Sequence, residues 1–280
     1  MEIFTLPNGW RLEVIYLKYI QNVLEKRSQS EKGVRPTILW LSEGGSRAWN
    51  IESPDSDIDL RFIYIRRVHE YLDVEEPTDT IQHMETVGGV EFDVVGWDIK
   101  KALKLFAKGN PNLAEWIRSP HVYCRWGCMS WFTANLDNVC TYDKVVRGMY
   151  GLARKTYHKS IEQDAADGKS PSTKNYIYAI RPLLAVNWML KNKSVTYPMD
   201  MDVLLTETKF SMGERTYVAM RALFELKRIT LEATNIGERN ILYEWIKENL
   251  RFYADYKFPK LPTTKELNLG EVFREIIGCP

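Results

Sequence analysis

Acids, glycines and a hydroxyl recur in this chain at spacings that can do chemistry. Gly44-Gly45-Ser46 is followed, ten residues later, by Asp57-Ile58-Asp59. The run from Ile58 to Ile65 alternates apolar and polar residues and reads as a strand. A strand sends every second side chain to the same face, so Asp57 and Asp59 point the same way. Two carboxylates so placed repel one another unless a cation lies between them. Oxygen-only ligands suit Mg²⁺ or Mn²⁺, and Mg²⁺ commonly shares its shell with substrate phosphates. A third carboxylate is on offer in Val90-Glu91-Phe92-Asp93-Val94, where Glu91 and Asp93 share a face. Apolar Phe92, Val94 and Val95 surround Asp93, so we take Asp93 over Glu91. Glycine allows the backbone to approach a ligand closely, and free N–H groups at a helix start favour a phosphate. Gly45 and Ser46, the latter with its hydroxyl, are therefore expected to cradle a polyphosphate.

A second cluster lies in the later part of the chain. Residues 169–193 hold Lys169, Lys174, Arg181, Lys191 and Lys193 and no acid. Lys174, Tyr178 and Arg181 fall at i, i+4 and i+7, one face of a helix. A cationic face with a tyrosine suits a triphosphate and a stacked base. The plainer reading is a helix edge with long side chains laid along it. Arg47 and Arg61 flank the two parts of the first motif. Arg61 is expected to reach the nucleotide, with surface ion pairing the ordinary alternative for both. Asp55-Ser56-Asp57-Ile58-Asp59 imitates a calcium loop, but Leu60 stands where that loop needs glycine and Arg66 where it needs glutamate. Gly168-Lys169-Ser170 lacks the first glycine of a phosphate loop. His121, Cys124, Cys128 and Cys140 do not have the spacing of a familiar zinc knuckle and read as core groups.

These groups need elements to hold them. Residues 11–27 carry an apolar stripe at helical spacing, Thr37 to Leu41 is a short buried strand, and Gly88-Gly89 joins two β-prone runs as a hairpin. Asp98 can cap the helix that follows, and Asn112 with Glu115 resembles a second helix start. From about Ser130 the pattern is helical, over 143–166, 172–191, 213–232 and 238–254. The expected fold class is α+β: residues 1–125 as a small mixed sheet with helices, and residues 126–280 as a helical domain closing over a cleft.

Composition limits the partners. The 280 residues are 45% hydrophobic and 27% charged, with a formal net charge of +1. A core can be buried, and a uniformly basic nucleic-acid coat is excluded, though a local basic groove is not. Four cysteines are too few for a disulfide scaffold, and neither a leader-like N-terminus nor a long apolar run occurs. The expectation is a cytoplasmic protein with no membrane contact.

At these residues a resemblance emerges. Gly-Ser, ten residues, Asp-x-Asp and a later strand carboxylate resemble the DNA polymerase β-type nucleotidyltransferase superfamily. Gly96-Trp97-Asp98-Ile99-Lys100-Lys101-Ala102-Leu103, Asn110-Pro111-Asn112, Glu115-Trp116 and the run Lys174 to Leu184 resemble its RNA-repair-linked branch, the RlaP type. The resemblance covers about residues 40–190. It implies a polymerase-β-like core in which Asp57, Asp59 and Asp93 hold the metals. It further implies transfer of a nucleoside monophosphate from a nucleoside triphosphate to a hydroxyl, with an RNA end as the favoured acceptor. A protein side chain or a small molecule as acceptor, and a nucleotide- or RNA-binding module without turnover, stand as alternatives.

Overall fold

The computed structural model describes residues 12–31, 36–139, 142–169, 171–231, 240–260 and 268–278. Helix α1 (Leu12–Glu31) leads to strand β1 (Thr37–Glu43), the single turn α2 (Gly45–Ala48) and strand β2 (Ile58–Ile65). The hairpin β3 (Thr80–Val87) and β4 (Val90–Asp98) comes next. Helices α3 (Ile99–Ala107) and α4 (Pro111–Arg118) follow, then strand β5 (Val122–Arg125). The rest is helical: α5 (Ser130–Val139), α6 (Tyr142–Thr156), a π-helical segment (Tyr157–Glu162), α7 (Gln163–Ala166), α8 (Thr173–Asn192), α9 (Met201–Glu207), α10 (Glu214–Ile229), α11 (Asn240–Ala254) and α12 (Leu269–Ile277).

Among the described residues the strands form one five-stranded sheet in the order β3-β4-β2-β1-β5. The β2/β4 pair is parallel and the other pairs are antiparallel. Alternation along β2 explains the two layers. Leu60, Phe62 and Tyr64 face α1 residues Tyr16, Ile20 and Leu24, whereas Ile63 and Ile65 enter the larger cluster with Ile99, Leu103 and Phe106 of α3. That larger cluster is continuous from Leu39 through α8 to Ile276. The mixed sheet followed by helices is the expected α+β class.

Local chemistry sets several boundaries. The Asp98 carboxylate accepts from the Lys100 amide at 2.8 Å and from the Tyr71 hydroxyl at 2.8 Å, capping α3 as expected. The second start differs: Asn110, not Asn112, caps α4, accepting from the Leu113 amide at 3.0 Å with Pro111 in the first turn. Strand β5 is absent from the sequence reading. Cys124 and Cys128 are half-buried, and the Cys124 thiol faces the Ile38 carbonyl at 3.8 Å. Cys140 lies outside the described residues. No helix among the described residues is long and apolar enough to cross a membrane.

Candidate active site

Parallel pairing brings the starts of β2 and β4 to the same end of the sheet. Asp59 and Asp93 are direct partners in that ladder, and one face of the sheet therefore carries both carboxylates. Asp57 stands one residue before β2 and is half-buried. Glu91 is exposed near the hairpin tip, opposite Thr86. Asp93, rather than Glu91, is the residue beside Asp59.

Arg61 lies two residues along the same face of β2 and bridges the pair. Its Nη2 donates to Asp59 Oδ1 at 2.5 Å and to Asp93 Oδ2 at 2.7 Å, and its Nη1 donates to the Asp93 carbonyl at 2.7 Å. The guanidinium is thus a counter-ion to the two carboxylates, at the same face of the sheet. Burial pushes the Asp59 carboxyl up to about 6. Arg61 opposes that rise, Asp93 and Asp57 add to it as like charges, and Lys174 opposes it.

The glycine turn presses on the same carboxylate. Gly45 has φ +63°, and a Cβ there would lie 1.8 Å from Asp59 Oδ2. Only glycine combines that backbone with that approach. The Gly44 amide donates to the Asp59 carbonyl at 2.8 Å, locking the turn to β2. Helix α2 is one turn long, so backbone placement counts here and a macrodipole does not. Ser46 departs from expectation: it is buried, and its hydroxyl donates to Ser56 Oγ at 3.2 Å, turned into the loop.

The helical part contributes unevenly. Lys174, in the first turn of α8, acts electrostatically on Asp59, and its ammonium lies 5.9 Å from the Tyr178 ring. Tyr178 packs edge-on against Trp49, which follows α2, at 5.2 Å. Arg181 is 2% exposed. Its Nη1 donates to Glu115 Oε1 at 2.5 Å, its guanidinium lies 4.2 Å from the Trp49 ring, and the Tyr197 hydroxyl donates to the same Glu115 oxygen at 2.7 Å. Buried in that network, Arg181 joins α8 to α4 and does not face a ligand as expected.

Two functional-site supports escaped the sequence reading. Glu43, buried at the end of β1, receives hydrogen bonds from Arg47 and from the Tyr123 hydroxyl. Lys227 of α10 is fully buried and donates to Ser53 Oγ at 2.8 Å, while Ser53 and Ser56 hydroxyls are 2.9 Å apart. A hydroxyl chain thus runs from α10 to Ser46 under the glycine turn. The available signal was a lysine within the apolar stripe Met220, Leu223, Phe224.

Hard oxygen donors crowded on one face suit a divalent cation, and the Asp59 carboxyl is raised chiefly by its burial, with the like charges of Asp93 and Asp57 adding to it. In this conformation, Arg61 supplies the neutralising charge. Among the described residues no three His, Cys, Asp or Glu side chains already converge as a ligand set. A divalent cation at Asp59 Oδ1 and Asp93 Oδ2 would have to displace Arg61 Nη2 from them.

Comparison with known proteins extends this picture. The model of the family described as RlaP, RNA repair pathway DNA polymerase beta family, matches residues 18–272. The chain is 30% identical over 258 residues to the Bacillus subtilis (strain 168) protein named uncharacterized protein YcgL, covering 89% of this chain and 93% of that one. Among solved structures it is similar to a nucleotidyltransferase-like protein from Exiguobacterium sibiricum 255-15. That likeness has a TM-score of 0.36 and 7% identity, over 93% of this chain and 79% of the other.

Proposed function

The chain belongs to the RlaP family of polymerase-β-like nucleotidyltransferases. From that premise we propose that it transfers a nucleoside monophosphate from a nucleoside triphosphate to a hydroxyl at an RNA end, releasing pyrophosphate. The observation that carries this reading is the register of Asp59 against Asp93, with Asp57 close enough to perturb Asp59.

In this reading Asp57, Asp59 and Asp93 hold Mg²⁺ or Mn²⁺, in the customary pair. Held by these carboxylates, such ions would supply Lewis-acid chemistry: charge neutralisation on the phosphates and a more acidic acceptor hydroxyl. The protein's residues supply position. The Gly44-Gly45 turn sets the approach of the triphosphate to Asp59. Lys174 neutralises phosphate charge from the side of α8, and Tyr178 offers a ring edge to the base. Asp93, half-exposed, orients the acceptor hydroxyl, whose oxygen bonds to the α-phosphorus as the α–β bridging bond breaks. Arg61 pairs Asp59 with Asp93 before the ions bind, and its Nη1 contact with the Asp93 carbonyl keeps it beside the site once they do. Holding reacting groups in line in this way supplies most of the rate. We take the functional division to fall at residue 125: the part before it holds the carboxylates, and residues 126–280 bring Lys174 and Tyr178 over them.

The test is transfer of label from each α-labelled nucleoside triphosphate to RNA ends with Mg²⁺ or Mn²⁺. Transfer by the wild type and its loss in Asp57→Ala, Asp59→Ala and Asp93→Ala are expected. No transfer across all four nucleotides, both metals and varied RNA ends overturns the RNA reading. The net charge of +1 favours a second reading, transfer to a protein side chain or small molecule. Transfer that ignores RNA and is insensitive to salt identifies it.

A further inference from the structure

The face of α6 turned to solvent is basic throughout. Between Asp143 and Glu162 there is no acid, while Lys144, Arg147, Arg154, Lys155 and Lys159 are all basic, in a protein whose net charge is only +1. All five are exposed. Counted from Lys144 the others follow at 3, 10, 11 and 15 residues, which places all five on one side of the helix over about 20 Å. Charged helix surfaces usually carry mixed signs that pair locally. Here Arg147 approaches Asp143 at 3.9 Å. Among the described residues the side chains of Lys144, Arg154, Lys155 and Lys159 make neither a hydrogen bond nor an ion pair.

The stripe also has a direction. It ends in the π-helical segment Tyr157–Glu162, and that segment is fastened to the start of α8. Asn175 Nδ2 donates to the Ser160 carbonyl at 2.9 Å and to Asp164 Oδ2 at 3.2 Å. Asn175 adjoins Lys174, whose charge reaches Asp59. The C-terminal end of the stripe is thus tied to the first turn of α8, the turn that carries Lys174. A π turn offsets the helix face by a fraction of a turn, and such turns recur at functional sites.

We propose that the exposed face of α6 and of the π-helical segment after it, from Lys144 to Lys159, is a track for the sugar-phosphate backbone of a single RNA strand whose end enters the Asp59/Asp93 site. This deepens the reading of an RNA acceptor given above and rests on it. A row of exposed cations whose end is tied to the turn bearing Lys174 complements a linear polyanion that must deliver its end beside that lysine. A membrane surface would need no such alignment. Contact is with phosphates and is independent of base sequence.

The experiment measures binding of a fluorescent single-stranded RNA of about 16 nucleotides across a salt series. Five phosphate contacts predict a log–log salt slope near −3.5 for a single strand. The triple variant Arg154→Gln, Lys155→Gln, Lys159→Gln lowers the slope to about −1.4 and the affinity about 50-fold at 150 mM salt. Its melting temperature stays that of the wild type, because these side chains are exposed. Unchanged RNA affinity in the triple variant overturns the track. So does tight wild-type binding to phosphatidylserine vesicles without RNA binding. Nucleotide-induced stabilisation of the wild type is measured in parallel. If it persists while RNA fails to bind, the track falls and nucleotidyl transfer stands with another acceptor. If it too is absent, the reading of the site falls as well.

Discussion

Replacing Asp59 by asparagine should make the fold more stable at neutral pH. Asparagine keeps the shape and can still accept a hydrogen bond from Arg61 through its carbonyl oxygen. It removes the charge that burial penalises and that Asp93 and Asp57 repel. The native carboxyl holds its proton up to about 6, against an ordinary value of 3.8. The native state therefore binds a proton more tightly than the unfolded chain, and stability falls as pH rises between those two values. At 1.36 kcal/mol for each pH unit, the ionised side chain costs on the order of 3 kcal/mol above that window. Urea unfolding from pH 4 to pH 8 measures it. Asp59→Asn matches the wild type near pH 4 and exceeds it by about 3 kcal/mol at pH 8. Added Mg²⁺ should narrow the gap, since a ligand at one hundred times its dissociation constant adds about 2.7 kcal/mol to the form that binds it. An asparagine variant less stable than the wild type at pH 8, or a gap that ignores pH, would refute the electrostatic reasoning.

Other substitutions test neighbouring contacts. Gly45→Ala places a methyl against Asp59 Oδ2 on a left-handed backbone. It should cost about 1–2 kcal/mol or more in urea unfolding and about 100-fold in transfer rate by displacing the carboxylate. Arg181→Met strands the Glu115 charge inside the protein and should lose about 3–5 kcal/mol, much of it recovered in the double variant with Glu115→Gln. Lys174→Ala removes a charge that favours ionised Asp59. It should move the acid limb of the activity–pH profile upward and weaken nucleotide binding as judged by nucleotide-induced stabilisation.

The strands that carry the acids were legible because alternation is a local property. Ile58 to Ile65 and the runs flanking Gly88-Gly89 announce themselves by period and turn residues. That Asp59 and Asp93 share a face also follows from period two. That β2 and β4 lie side by side and parallel does not, because pairing joins residues 34 positions apart. Strand β5, with four residues, is too short to show alternation. The basic residues misled for the same reason. Helical spacing set Lys174, Tyr178 and Arg181 on one face, but the fate of Arg181 is decided by Glu115, which is distant in sequence. Arg61 likewise meets Asp93 only through the sheet. Asn110 was passed over as a cap because its neighbour Pro111 reads equally as a helix stop and as a first-turn residue.

The central claim is that Asp57, Asp59 and Asp93 promote attack on the α-phosphorus of a nucleoside triphosphate. Following α- and γ-phosphorus labels through one reaction with RNA and Mg²⁺ tests it most directly. The account predicts that the α label appears in the RNA and the γ label leaves as pyrophosphate in equal amount, and that Asp59→Ala abolishes both. Delivery of the γ label to the acceptor, or undiminished transfer by Asp59→Ala, would contradict it.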